Sequence, residues 1–172
     1  MKEIFLLTVF ALVFSVLAAA QNKSVYTSTM TGACRTIWAP GEADASEGEC
    51  KGVGGYKIRL LEGDLRQSIN VITPDKKTFE LNFWGFYSSF SDINPQIEWR
   101  TKAGVPVALI ARLNVANTDS TKKGKSYLMI SKIGKKSSCV VDIIKPGANQ
   151  NEAARKSADA AAKKPCKKTD ND

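Results

Sequence analysis

From Tyr56 onward, hydrophobic and polar residues alternate along the chain, and short turn sequences interrupt the alternation. This pattern is typical of β-strands that bury one face. It places Tyr56, Ile58 and Leu60 on one face of a strand, and a turn at Gly63-Asp64 leads into the next strand. The alternating hydrophobic residues of that next strand are Leu65, Ile69 and Val71. About seven strands are predicted in all, so the fold class is mainly β, an antiparallel sandwich or barrel.

The pattern changes near the C-terminus, where alanines recur at helical spacing in the segment NQNEAARKSADAAAKKPC. Glu152 lies near the start of this segment, lysines lie near its end, and Pro165 follows them. Acidic residues favour the first turn of a helix, basic residues favour the last turn, and proline stops it. We therefore expect one C-terminal helix of about three turns, with Cys166 tying it to the sheet.

The first twenty residues have the three parts of a secretory signal peptide. They are a charged start at Lys2, an apolar run from Ile4 to Leu17, and small residues that end at Ala20. An uncleaved membrane anchor is the competing interpretation, but a bilayer-spanning helix needs roughly 20 apolar residues and this run is shorter. We expect cleavage after Ala20, which leaves a periplasmic or secreted protein without a transmembrane anchor.

Four regions are predicted along the chain. Residues 1–20 are the signal peptide, and the polar residues 21–33 form a flexible N-terminal arm. Residues 34–145 form the β-domain, and residues 146–172 form a C-terminal helix and tail that are tied to it. Helical and strand patterns do not alternate, so the sequence excludes a nucleotide-binding α/β fold.

The composition excludes several chemistries. The 172 residues include no histidine, which removes the Ser-His-Asp triad, the Cys-His dyad and metal sites that need imidazole. Lys and Arg total 25 against 17 Asp and Glu, which gives a net charge of +8. Nucleic acid is not the expected partner of this charge, because the protein is exported and no aromatic residues interleave with the lysines. We expect no cofactor and no metal.

Four cysteines in an exported chain indicate two disulfides, for which three connectivities are possible. Spacing favours Cys34–Cys50, which closes a loop rich in Gly, Glu and Ala, and Cys139–Cys166, which ties the C-terminal segment back to the domain. We reject a structural zinc site, because such sites use cysteines roughly two to four residues apart and these four are much farther apart.

Six aromatic residues fall within residues 79–90. Large aromatic side chains are usually buried, which favours core positions for Phe79 and Phe83. Gly85 and several serines make the rest of the stretch loop-like, and aromatic residues on a loop are good anchors for a partner. A downstream strand adds one more aromatic residue beside a positive charge. The predicted binding residues are Trp84, Tyr87, Phe90, Trp99 and Arg100.

Carboxylates are the commonest catalytic groups that remain without histidine, and the candidates are Glu62, Asp64 and Glu98. A glycosidase needs two carboxyl groups that converge across a cleft, roughly 5–10 Å apart. Glu62 and Asp64 also fit the role of turn residues next to arginines, where a carboxylate stays ionised. This set defines an alternative hypothesis of glycan hydrolysis.

The lysines of the predicted hairpin loops are a further candidate surface. They fit an anionic envelope polymer as the partner. They also fit the common role of keeping sheet edges soluble, and both interpretations stay open. These lysines are Lys122, Lys123, Lys125, Lys132, Lys135 and Lys136.

Several blocks, among them CKGVGGYKIRLLEGDLRQSINV, ELNFW, PVALIARLNV and the alanine-rich helix ending in Pro-Cys, resemble an uncharacterised family of exported bacterial proteins. The resemblance covers about residues 34–166. It implies a bacterial, exported, single-domain protein with this cysteine layout, and it assigns no activity, ligand or site. A weaker likeness, of class rather than motif, is to small β-barrel lysozyme inhibitors of bacterial envelopes.

These observations favour an exported, non-catalytic binding domain that recognises a protein or an envelope polymer. One alternative is a cell-wall glycan hydrolase that uses Glu and Asp residues. A second alternative is a structural protein of the envelope.

Overall fold

The computed structural model describes residues 22–38 and 45–169. Within these ranges the protein is mainly β, with 49% strand and 11% helix, which confirms the predicted fold class. The predicted signal peptide lies outside the described residues. No helix in the described part of the chain is long and apolar enough to cross a membrane.

Eleven strands are present in the described ranges, compared with the roughly seven that alternation predicts. The additional strands are short or polar, so they carry little alternation of hydrophobic residues. The strands are β1 (Lys23–Ser28), β2 (Cys34–Trp38), β3 (Ala45–Lys51), β4 (Lys57–Gly63), β5 (Arg66–Ile72), β6 (Thr78–Glu80), β7 (Ser91–Ile93), β8 (Gln96–Lys102), β9 (Val105–Val115), β10 (Lys125–Lys132) and β11 (Cys139–Ile144).

The strands form one curled, open sheet in the order β1-β8-β9-β7-β5-β4-β3-β2. The sheet branches at β9, which pairs with β8 through its first half and with β7 through its last residues. Strand β10 pairs with β9 from Ala108 to Val115 and carries β11. Pairing is antiparallel except for one parallel bridge between β5 and β7, at Arg66 and Ser91.

The polar segment expected as a flexible arm contains strand β1. Lys23–Ser28 pairs with β8 along its whole length, with Ser24 opposite Arg100 and Tyr26 opposite Glu98. Backbone hydrogen bonds and polar side-chain contacts hold this edge strand, so it needs few hydrophobic residues. Hydrophobic periodicity does not detect a strand of this kind.

Both faces of β9 are buried, which produces two hydrophobic clusters. Alternate residues, such as Leu109 and Leu113, point into the main core inside the curled sheet. The residues between them, such as Ile110, face the C-terminal helix. The helix-side cluster consists of Ala108, Ile110, Leu128, Ile130, Val141, Ala154, Ala158 and Ala161.

The C-terminal helix, α1, spans Gln150–Asp159, and a short 3-10 helix follows at Ala161–Lys163. The predicted alanine stripe faces the sheet, and small side chains allow the close approach. Both predicted disulfides are confirmed: Cys34 bonds to Cys50, and Cys139 bonds to Cys166. The second disulfide holds the tail along β11, where the N–H of Lys167 donates to the carbonyl of Val140 at 2.8 Å.

Candidate functional site

The aromatic loop between β6 and β7 begins with a short 3-10 helix, Phe83–Gly85. Phe83 is fully buried, as predicted, and its N–H donates to Ser68 Oγ at 3.0 Å. Phe79 is only partly buried. The buried Phe83 therefore anchors the start of the loop, and the rest of the loop lies at the surface.

Trp84 and Tyr87, two of the predicted binding residues, are half-buried. The ring of Tyr87 lies 4.6 Å from that of Tyr127 on β10, measured between centroids. Burial, together with the neighbouring Tyr127, raises the pKa of Tyr87 to about 12. The Nε1–H of Trp84 is buried and has no hydrogen-bond acceptor among the described residues. Tyr87 packs against the main core, and both side chains line a hollow of about 310 Å³.

Phe90, the third predicted loop residue, is 55% exposed. Its backbone is nevertheless fixed, because its carbonyl accepts a hydrogen bond from Ala116 N–H at 2.8 Å. Leu65, on the adjacent β4–β5 turn, is 61% exposed, and its carbonyl accepts from Ser91 N–H at 3.1 Å. Two exposed hydrophobic side chains are therefore held side by side on hydrogen-bonded backbone.

Both side chains line a groove of about 510 Å³, here called the Leu65–Phe90 groove. A second hollow of about 670 Å³, formed with the loop that precedes β10, shares Phe90 with it. The first groove is lined by residues of both charges and by uncharged residues. The acidic lining residues are Glu62 and Asp92, the basic ones are Lys123 and Lys125, and the amides are Gln67 and Asn114.

The backbone at Leu65 is unusual for a leucine. Asp64 and Leu65 have φ angles of 52° and 55°, so the β4–β5 hairpin turns through two left-handed residues. This turn type favours Asn-Gly or Asp-Gly, because a side chain with a Cβ is strained there. The turn therefore contains a leucine that is both strained and exposed. A glycine at this position would remove the backbone strain and the exposed hydrophobic surface. The alternation of the sequence predicted that Leu65 is buried, so it did not identify Leu65 as an exposed groove residue.

Trp99 and Arg100 do not belong to this surface, so their prediction as binding residues is corrected. Trp99 is fully buried, and its Nε1–H donates to Thr27 Oγ1 at 2.8 Å. Arg100 is 8% exposed and forms two hydrogen bonds to Asp159, at 2.8 and 2.9 Å. Consecutive strand residues point to opposite faces. On β8, one face meets the core and the other meets α1.

Ion pairs lock α1 and the tail onto the sheet. Arg155 Nε donates to Glu98 at 2.8 Å, and this contact raises the pKa of Arg155. Burial alone would raise the pKa of Asp159, but hydrogen bonds from Arg100 and Asn22 outweigh it and lower that pKa. Glu98 and Arg100 are therefore used in holding the helix in place.

Asp142 on β11 forms similar contacts with the end of α1 and with the tail. Its carboxylate accepts from Ser157 Oγ at 2.7 Å and from Lys164 Nζ at 2.6 Å. Burial opposes ionisation, but these hydrogen bonds and the N–H of Ile143 lower the pKa of Asp142. This carboxylate is held by the end of α1 and by the tail.

The three candidate catalytic carboxylates do not share one cleft. Glu62 lines the Leu65–Phe90 groove, Asp64 pairs with Arg66 at 3.1 Å in the turn, and Glu98 lies under α1. Among the described residues, no group of three or more Cys, Asp or Glu side chains is placed to hold a metal ion. Glu62, Asp64 and Glu98 therefore do not form the facing carboxyl pair that a glycosidase needs.

The predicted lysine surface is divided in the structure. Lys122 pairs with Asp119 at 3.0 Å, and Lys132 donates to the carbonyl of Lys164 at 3.0 Å. Lys123 and Lys125 reach the Leu65–Phe90 groove. Positive charge therefore borders the groove.

Comparison with protein-family models, curated proteins and solved structures finds no match for this chain.

Proposed function

We propose that the protein is an exported, non-catalytic binding domain that recognises a protein or an envelope polymer through the Leu65–Phe90 groove. The observation that carries this proposal is the strained and exposed Leu65 beside the exposed Phe90. Hydrophobic anchors on a rigid backbone bind with little loss of conformational entropy. Strained backbone clusters at functional sites, and Leu65 is the one large hydrophobic side chain among the described non-glycine residues with positive φ.

Export to the periplasm or the medium is part of the proposal. Two disulfides are consistent with an oxidising compartment, and the pattern of residues 1–20 fits a secretory signal. The glycan-hydrolase alternative has less support, because Glu98 is committed to Arg155. A purely structural envelope role gives no reason for an exposed, strained leucine.

A capture experiment tests the proposal. The protein without residues 1–20 is immobilised and exposed to an envelope extract at about 0.05 and 0.5 M salt, since the higher concentration screens exposed charges. We expect one defined component to be retained at both concentrations by the original chain. Replacing Leu65→Gly and Phe90→Ser together is expected to abolish this retention.

Val105→Ser is the matched control, because Val105 is also a large exposed hydrophobic residue and does not line the groove. The control is expected to retain the component as strongly as the original chain. Capture of mixed anionic material only at low salt would contradict the proposal, because lysines would then account for the binding.

A further inference from the structure

Arg112 lies on β9, on the face that α1 covers, and three neutral side chains orient its guanidinium. Nη1 donates to Ser126 Oγ at 3.0 Å and to Gln150 Oε1 at 2.9 Å. Nη2 donates to Asn151 Oδ1 at 2.8 Å. These hydrogen bonds fix the plane of the guanidinium but leave its charge uncompensated.

Arg112 differs from the other arginines of the protein, all of which lie in the described ranges. Each of the other five lies 2.8 to 3.8 Å from a carboxylate, whereas Arg112 forms no ion pair with any described residue. An oriented guanidinium without a carboxylate is available to an external anion. The five paired arginines and their partners are Arg35–Glu49, Arg59–Glu47, Arg66–Asp64, Arg100–Asp159 and Arg155–Glu98.

The unused part of the Arg112 guanidinium is a binding edge. Arginine has five N–H donors, and three of these serve Ser126, Gln150 and Asn151. No described residue accepts a hydrogen bond from Nε, which lies next to Nη2 on one edge of the planar group. A carboxylate or phosphate takes such an edge with two oxygens and forms two parallel hydrogen bonds.

Arg112 also lines a groove of about 140 Å³ that runs between α1 and strands β8, β9 and β10. Buried hydrophobic residues Ile110, Leu128 and Ala154 contribute to its lining. The polar lining includes the side-chain amides Asn94 and Gln96, and also Glu98, whose carboxylate is paired with Arg155 at 2.8 Å. This volume is below that of a drug-sized pocket, roughly 300–1,000 Å³, so the groove fits a small anion.

We propose that this groove binds a small oxyanion, a carboxylate or phosphate group, whose oxygens accept hydrogen bonds from Nε–H and Nη2–H of Arg112. The amides of Asn94 and Gln96 supply further donors at the same groove. The proposal stands independently of the function proposed for the Leu65–Phe90 groove, since its evidence is the unpaired arginine and the groove that this arginine lines.

The test is an NMR titration of the protein with sodium acetate and, separately, with sodium phosphate. Sodium chloride keeps the ionic strength constant. The observed signals are Nε–H of Arg112 and the side-chain amide of Asn151. We expect saturable shifts of both signals with at least one anion. A response to acetate alone identifies a carboxylate ligand, and a response to phosphate alone identifies a phosphate ligand.

Two variants sharpen the titration. Arg112→Lys keeps the charge and removes the planar edge, and we expect it to raise the Kd about tenfold or more. Arg59→Lys is the control, because Arg59 is partly buried but faces Glu47 at 3.8 Å, and its Kd is expected to stay unchanged. Shifts that never saturate, that chloride alone reproduces, or that Arg59→Lys weakens equally would overturn the proposal. If Arg112→Lys does not fold, the titration of the unsubstituted protein still tests the proposal, because its shifts must saturate with the anion.

Discussion

The carbonyl oxygen of Leu65 accepts a hydrogen bond from the N–H of Ser91 at 3.1 Å, which joins the β4–β5 turn to the residue after Phe90. This bond holds two exposed hydrophobic side chains next to each other. The carbonyl of Phe90 accepts in turn from the N–H of Ala116, so both positions have hydrogen-bonded backbone. The Leu65–Phe90 groove is thus a preformed surface, which is the property expected of a recognition site.

Leu65→Gly is expected to stabilise the fold. Glycine adopts the left-handed conformation without strain, and Leu65 gives up little burial because it is mostly exposed. The expected gain in the free energy of unfolding is about 1 kcal/mol, measured by urea denaturation. A loss of stability instead would mean that the Leu65 side chain packs against the domain and that this packing outweighs the backbone strain.

Arg100→Ala is expected to destabilise the fold strongly. The substitution leaves Asp159 without its main partner and removes hydrogen bonds to Asn22 and Ser24. Arg100 is buried but Asp159 is 39% exposed, so losing these charged hydrogen bonds is expected to cost roughly 2 kcal/mol, measured by urea denaturation. A variant with unchanged stability would contradict the structural role and return Arg100 to the list of binding candidates.

Strand β8 shows a limit of structure prediction from the sequence. Trp99 and Arg100 were predicted together as binding residues, although neighbouring residues of a strand point to opposite faces. Helix α1 covers the face that carries Arg100, so Arg100 is buried while its partner Asp159 stays at the surface. The sequence predicts the helix and its disulfide, but it does not show which strands the helix covers.

Stability is expected to fall at acidic pH because Asp142 and Asp159 both have lowered pKa values. The ordinary pKa of these two groups is 3.8. Because the pKa of each group is lower in the folded state, each ionised carboxylate contributes its full stabilisation above that ordinary pKa. This contribution is lost as the pH falls through the lower folded-state pKa. Urea denaturation at a series of pH values between about 2 and 6 measures the slope. Asp142→Asn should flatten it, and an unchanged slope would exclude Asp142 as a source.

Replacing Cys139→Ser and Cys166→Ser together is expected to cost about 3 kcal/mol in the free energy of unfolding. The bond closes a loop over a sequence separation of 27 residues. The tail should loosen first, so the amide of Lys167 should exchange faster with solvent. Unchanged stability and an equally protected Lys167 amide would show that the ion pairs of the helix suffice without the disulfide.

The Leu65–Phe90 groove was only partly predictable from the sequence. Phe90 was found because it lies in a serine-rich loop, where an aromatic residue has no obvious core position. Leu65 was missed because alternation counts any hydrophobic residue near a strand as buried. The available signal was its position directly after Gly63-Asp64, where a two-residue hairpin turn normally has a glycine. The shared groove depends on pairing between distant strands, which periodicity does not report.

Site-specific photocrosslinking at position 90 tests the recognition groove most directly. Phe90 is replaced by the photoreactive p-benzoylphenylalanine, a larger aromatic side chain, and the protein is irradiated in an envelope fraction. The same replacement at Val105 is the comparison, because Val105 is exposed and lies outside the groove. We predict one discrete adduct at position 90 and none at position 105. No adduct at position 90, or the same adducts at both positions, would contradict the account.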